Sequence, residues 1–211
     1  MKITILPTLL TVLLFTFSSC NKNTNQIYNS KDLSNWNFVL EDNTIPAEEV
    51  YYVEDEIIIV KGEPLGYMYT KEKYSDFTLD LEYRWAGEES NSGVFVLIED
   101  PTNPFPRGIE CQLKYGQAGD FVLLSGSELN EYVLPEGITE RPEFPVIDKI
   151  NSSSENPAGE WNHVKIIVDK GEITVFVNDV LQNRATSTVM EGHIGLQSEG
   201  EEIHFRNIEI S

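Results

Sequence analysis

Nine residues, FTLDLEYRW from Phe77 to Trp85, limit the fold more than any other stretch of this chain. Phe77, Leu79, Leu81, Tyr83 and Trp85 alternate strictly with Thr78, Asp80, Glu82 and Arg84. Strand side chains point to opposite faces with period two, so this run buries one apolar face as a β-strand. Gly108–Leu113 repeats the pattern, with Ile109, Cys111 and Leu113 directed inward and Glu110 and Gln112 outward. Shorter runs at Trp36–Leu40, Tyr51–Val53, Glu56–Lys61, Tyr67–Thr70, Gly93–Ile98 and Phe121–Leu124 are also strand-like. So are Trp161–Val168, Ile173–Val177, His193–Gln197 and Ile203–Ile210. Asp169-Lys170-Gly171 and Asn178-Asp179 have hairpin-turn chemistry, because Gly, Asn and Asp tolerate positive φ. No segment holds a 3.6-residue period over three turns. The pattern predicts an all-β, antiparallel sandwich or barrel without helices.

At 211 residues the chain is one domain, large enough for a two-sheet core. Its N-terminus reads as a separate element. Lys2, the apolar run Ile3–Phe17 and the small-residue stretch ending at Cys20 have the layout of a bacterial lipoprotein signal. The run is shorter than the ~20 apolar residues that span a bilayer. Residues 1–19 are therefore expected to be removed, Cys20 to carry lipid, residues 20–30 to form a tether, and 31–211 to fold. The expected location is the bacterial envelope, facing the periplasm. Losing Lys2 takes the net charge from −20 to −21. That acidity excludes nucleic acid and anionic lipid surfaces as partners, so membrane contact is expected only through the anchor. With one of the two cysteines taken by lipid, Cys111 is expected to be an unpaired, buried strand residue.

Residues 125–159 break the pattern. They contain Pro135, Pro142, Pro145 and Pro157 but also Leu129, Tyr132, Leu134, Phe144 and Ile147. A segment that long and that apolar is expected to be an ordered excursion over one sandwich edge, walling a cleft.

Several groups could carry chemistry. Glu82, Arg84, Glu110 and Gln112 put carboxylates, a guanidinium and an amide on outward strand faces, suited to gripping sugar hydroxyls. The same residues also describe a surface ion pair across neighbouring strands. Asn91, in Asn91-Ser92-Gly93, either aims its amide into a cleft or serves a turn. Gln197 and Glu199 either line that cleft or cap a hairpin. His163, His193 and His204 lie in separate strands without metal-ligand spacing. Glu54-Asp55-Glu56 reads as a solvated turn more than as a calcium patch. A divalent metal ion is the one cofactor considered, held through oxygens. Phosphate-loop, nucleophile-elbow, zinc and dinucleotide motifs are missing, as is the Glu-x-Asp-x-x-Glu strand motif of laminarinase-type enzymes.

Taken in order, several segments resemble the 3-keto-disaccharide hydrolase family, also described as 3-keto-glucoside 1,2-lyase/hydratase domains. They are Lys31–Trp36, Tyr67–Thr70, Tyr74–Phe77, Asn91–Phe95, Glu110–Leu113, Gly159–Asn162, Gly195–Gly200 and Phe205–Ile210. The resemblance covers nearly all of residues 30–211. It implies a concanavalin A-like jelly roll acting on glycosides oxidised to a ketone at C3. It also implies C2 deprotonation, loss of the C1 substituent and hydration, a net hydrolysis. On that reading Glu110 is the base, Glu82 and Arg84 assist it, and Asn91, Gln112, Gln197 and Glu199 bind substrate. The chain departs from the common pattern at Glu199, where many members have histidine, and at Val96-Leu97-Ile98, where many have arginine. A non-catalytic carbohydrate-binding lipoprotein of the same fold is the alternative.

Overall fold

Runs with one apolar face need a second layer to cover them, and here the chain provides it by stacking two sheets. The computed structural model describes residues 27–211. In chain order the first strands are β1 (Trp36–Leu40), β2 (Tyr51–Glu54), β3 (Ile57–Val60), β4 (Gly66–Thr70) and β5 (Phe77–Trp85). Next come β6 (Gly93–Asp100), β7 (Arg107–Gln112), β8 (Phe121–Leu124), β9 (Val146–Ile147) and β10 (Asn162–Asp169). β11 (Glu172–Val177), β12 (Val180–Thr186), β13 (His193–Ser198) and β14 (Ile203–Ile210) complete the set. A front sheet runs β1-β4-β13-β6-β7-β8-β9 and a back sheet β12-β11-β10-β5-β14-β3-β2. All pairings are antiparallel. The fold is an all-β jelly-roll sandwich.

The alternation of β5 is reproduced residue by residue: its odd positions are buried and its even positions half-exposed. Leu79, Leu81, Tyr83 and Trp85 meet Val94, Val96, Ile109, Cys111, Phe121 and Leu196 of the front sheet in one continuous core. Cys111 is free and buried within it, and burial pushes its thiol pKa up. Hairpins close with two-residue turns whose residues both have positive φ. These are Asp55-Glu56, Lys170-Gly171 and Asn178-Asp179. Glu54-Asp55-Glu56 is thus the end of β2 and its turn to β3, as its solvated-turn reading requires.

Four features depart from the sequence reading. β12 was not anticipated, because Gln182 and Asn183 are adjacent and both buried, and a bulge opposite Val175/Phe176 breaks the alternation. β9 has two residues and the helical turn α1 (Ala47–Val50) four, too few for any period to register. Ile27 and Tyr28, assigned to the tether, are 5% and 2% exposed and join the core, so the folded part begins before residue 31. The signal segment and Cys20 lie outside the described residues.

The 125–159 excursion is pinned along the edge beyond β8. β9 extends the front sheet, and the Lys149 backbone N–H donates to Asp120 at 2.8 Å. The Arg141 guanidinium donates to Glu128 and to the Ser127 carbonyl while covering Tyr132.

Candidate functional site

The front sheet is buried on its outer side as well. Tyr67, Phe95, Ile98, Val122 and Leu124 form a second apolar cluster there, flanked by Val39, Tyr69, Phe105 and Phe144. Strand register then aligns the polar groups. Phe95 pairs with Gly195 on one side and Glu110 on the other, and Glu110 pairs with Val122. One row along, Tyr67 pairs with Gln197, and Gly93 with Gln112. Glycine at 93 is what makes room. A Cβ there would stand 2.4 Å from Glu110 Oε1, so the carboxyl group occupies the space a side chain would fill.

Around these residues lies a hollow of about 270 Å³. One wall is polar: Asn91, Glu110, Gln112 and Glu199. The other is apolar: Phe105, Val122, Leu124, Phe144 and Val146, with the Phe105 and Phe144 rings 5.0 Å apart. Lys114 and Gln117 complete the lining. The excursion thus walls the hollow through Phe144 and Val146. An amphipathic slot of this kind suits a sugar ring, whose hydroxyl edge needs hydrogen bonds and whose C–H face needs apolar contact.

Glu110 is 3% exposed, and burial, with a contribution from the charge of Glu199, pushes its pKa up to about 8. Its Oε1 has no hydrogen-bond partner among the described residues, and neither do Asn91 Oδ1 and Gln197 Oε1. Gln197 is fully buried and donates its amide to Glu199 at 2.7 Å. Gln112 turns its amide oxygen onto the Leu113 and Lys114 backbone N–H groups, leaving its NH₂ as the donor for a ligand. Buried polar atoms are seldom left unpaired, and an unpaired carboxyl oxygen with two unpaired amide oxygens beside it suits donors from outside the chain. No three or more His, Cys, Asp or Glu are placed to hold a metal ion together among the described residues. A divalent cation here would be held by the Glu110 and Glu199 carboxyl groups with the Asn91 and Gln197 amide oxygens, a hard-oxygen set.

Glu82 and Arg84 do not join this site. Both lie on β5, facing out from the back sheet, so at least the roughly 10 Å between stacked sheets separates them from Glu110. Glu82 accepts from Arg206 Nε at 2.5 Å and Asn207 Nδ2 at 2.9 Å. Arg84 donates to His204, and its guanidinium and that of Arg206 lie 4.7 and 3.9 Å from the Trp161 ring. The expectation that they share a cleft with Glu110 is overturned. Period two gives a residue's face within its own sheet but not which sheet the strand enters. Asn91, Glu110, Gln112 and Glu199 are brought together, with Gln197 behind them. Phe105, Lys114 and Gln117 were missed, being loop residues in which no pattern signals a wall.

The family model of the 3-keto-alpha-glucoside-1,2-lyase-like domain matches residues 23–211. This chain belongs to that family. A 3-keto-disaccharide hydrolase of Bacteroides thetaiotaomicron is 25% identical over 172 residues, which is 65% of this chain and 59% of the relative. The chain therefore spans about three fifths of that relative's length. Among solved structures, a candidate glycosyl hydrolase of Parabacteroides distasonis superposes with a TM-score of 0.65 at 20% identity, covering 90% of this chain and 99% of that one. Carbohydrate-binding module CBM66 of Bacillus subtilis gives 0.55 at 13% identity, covering 84% and 96%. These likenesses establish the shared fold of the family domain.

Proposed function

We propose that this protein cleaves glycosides already oxidised to a ketone at C3, by elimination across C1–C2 followed by hydration. The observation that carries the reading is one sugar-sized amphipathic hollow holding a buried carboxyl group with a raised pKa beside a second carboxylate. The name of the Bacteroides relative and the family description support the substrate class.

The chemistry follows from the ketone, which acidifies the C2 proton. With a pKa of about 8, Glu110 keeps its proton in roughly 90% of molecules at pH 7. In this proposal burial therefore moves Glu110 from base to acid. The Glu199 carboxylate takes the C2 proton, and the C–H electrons pass to the ketone oxygen as an enolate. Lys114 and the Gln112 NH₂ stabilise that charge. The enolate collapses to restore the ketone, the C1=C2 bond forms and the C1–O bond breaks. Glu110 gives its proton to the departing oxygen. Water then adds to C1 while a proton returns to C2. Asn91 and the Phe105–Phe144 wall hold the ring.

Turnover of a 3-keto-glucoside but not of its unoxidised parent, lost in Glu110→Gln with the fold intact, is the expected result. Binding without aglycone release would replace this reading with a carbohydrate-binding one. The Ile3–Cys20 segment supports an exported protein held by lipid at Cys20 and facing the periplasm.

A further inference from the structure

The hollow around Glu110 does not end at Glu199. A second hollow, of about 370 Å³, opens on the other side of that residue between Glu41, Glu63, Pro64 and Leu65. A third, of about 300 Å³, shares Glu41 and Leu65 with the second and Phe105 with the first. The three adjoin along the outer side of the front sheet, and Glu199 stands between the second hollow and the buried carboxyl group, lining both the first and the second. The second hollow is built by backbone. Gly62 (φ +86°) and Gly200 (φ +81°) let the β3–β4 and β13–β14 loops touch, and a Cβ on Gly62 would stand 2.2 Å from the Gly200 carbonyl oxygen. That contact fixes Glu63 beside Glu199. The junction is organised from beneath by Gln197, fully buried, which holds Glu199 and leaves its own amide oxygen unpartnered.

Glu41, Glu63 and Glu199 give the second hollow three carboxylates, and no side chain forms an ion pair with any of them among the described residues. The nearest cation in sequence, Lys61, is already paired with Glu202 at 2.5 Å. A groove that continues past the reacting bond into an acidic hollow must discriminate by charge. Like charge costs energy there, and hydroxyl or ammonium donors find acceptors.

We infer that the second hollow is the leaving-group subsite, and that Glu41 and Glu63 select neutral or cationic leaving groups, such as an amino sugar, over uronates. The inference rests on the reading of the first hollow as the site of C1–O cleavage. Three carboxylates at roughly 8 Å in water-like dielectric amount to discrimination on the order of 10-fold.

The test compares kcat/KM for three 3-keto-glucosides that differ only in the leaving sugar: glucose, glucosamine or glucuronic acid. The unaltered protein should favour glucose over the uronate by about 10-fold and glucosamine over it by about 100-fold at low salt, both gaps closing at high salt. In Glu41→Gln/Glu63→Gln the glucose–uronate gap should fall below about 3-fold, read as a ratio within each protein so that any loss common to the three substrates cancels. An unchanged gap in the double variant, or none in the unaltered protein, overturns the assignment. If no keto-glucoside is turned over, the reaction assignment fails by itself, and the subsite is read by calorimetric titration with methyl glucosaminide and methyl glucuronide. Preference for the aminoglycoside that the double variant loses upholds the subsite, whereas equal affinities refute it.

Discussion

Replacing Glu110 by glutamine should make this protein more stable, and increasingly so as pH rises. The Glu110 carboxyl titrates near 4.5 when solvated and about 8 in the folded protein. A folded-state pKa raised above the unfolded one means that ionisation opposes folding. The stability present below pH 4.5 is lost as pH climbs through 8. With 1.36 kcal/mol per pKa unit, the loss is about 1 kcal/mol at pH 5, about 3 at pH 7 and nearly 5 at pH 9. Glutamine keeps the shape and carries no titrating proton. The gap between variant and wild type should therefore widen by about 4 kcal/mol between pH 5 and pH 9. For a domain of this size that is a relative shift in Tm on the order of 10 °C. Because other ionisable groups are common to both proteins, the difference isolates Glu110. Denaturant unfolding followed by tryptophan fluorescence at pH 5, 6, 7, 8 and 9 measures it. Parallel stability curves would refute the claim that Glu110 is buried without a compensating partner.

Gly93→Ala places a Cβ 2.4 Å from Glu110 Oε1, so turnover of a 3-keto-glucoside should fall on the order of 100-fold. The accompanying stability loss should be about 1–3 kcal/mol in urea titration. Glu82→Gln removes a half-exposed pair with Arg206 on the back sheet. It should cost no more than ~1 kcal/mol and leave kcat/KM unchanged, whereas a 10-fold loss would return Glu82 to the site. Cys20→Ser should abolish the added lipid mass on the exported protein and release it from membranes into the soluble fraction, as read by intact-mass spectrometry and fractionation.

How far the sequence is legible follows from what each signal encodes. Burial alternates through β5 and β10, and apolar and polar residues alternate through β5 and from Ile109 to Gln112 of β7, so those strands were readable to within a residue or two. β12 was unreadable because two adjacent polar residues are both buried. Glu110 and Gln112 stand out as polar outward residues in an otherwise apolar strand. Their partnership with Asn91, Gln197 and Glu199 depends on β13 and β7 flanking β6, a long-range adjacency that no local period carries. Glu82 and Arg84 show the same limit from the other side, since an equally regular strand went into the opposite sheet. The raised pKa of Glu110 comes from burial beside Gly93, Phe95 and Val122 in three dimensions, and for that reason the proposed mechanism uses as an acid the residue that the sequence offered as a base.

Deuterium incorporation tests the central claim most directly. A 3-keto-glucoside is turned over in heavy water, and the released 3-keto sugar is examined by NMR at early times, against a no-enzyme control for spontaneous exchange. Elimination and rehydration in the Glu110–Glu199 hollow predict one deuterium at C2 in every released molecule and no release by Glu110→Gln. Release of sugar that keeps its original C2 hydrogen would contradict it, because Glu199 is open to water and a carboxyl proton exchanges with solvent far faster than an enzyme turns over, so a retained hydrogen means that no proton left C2.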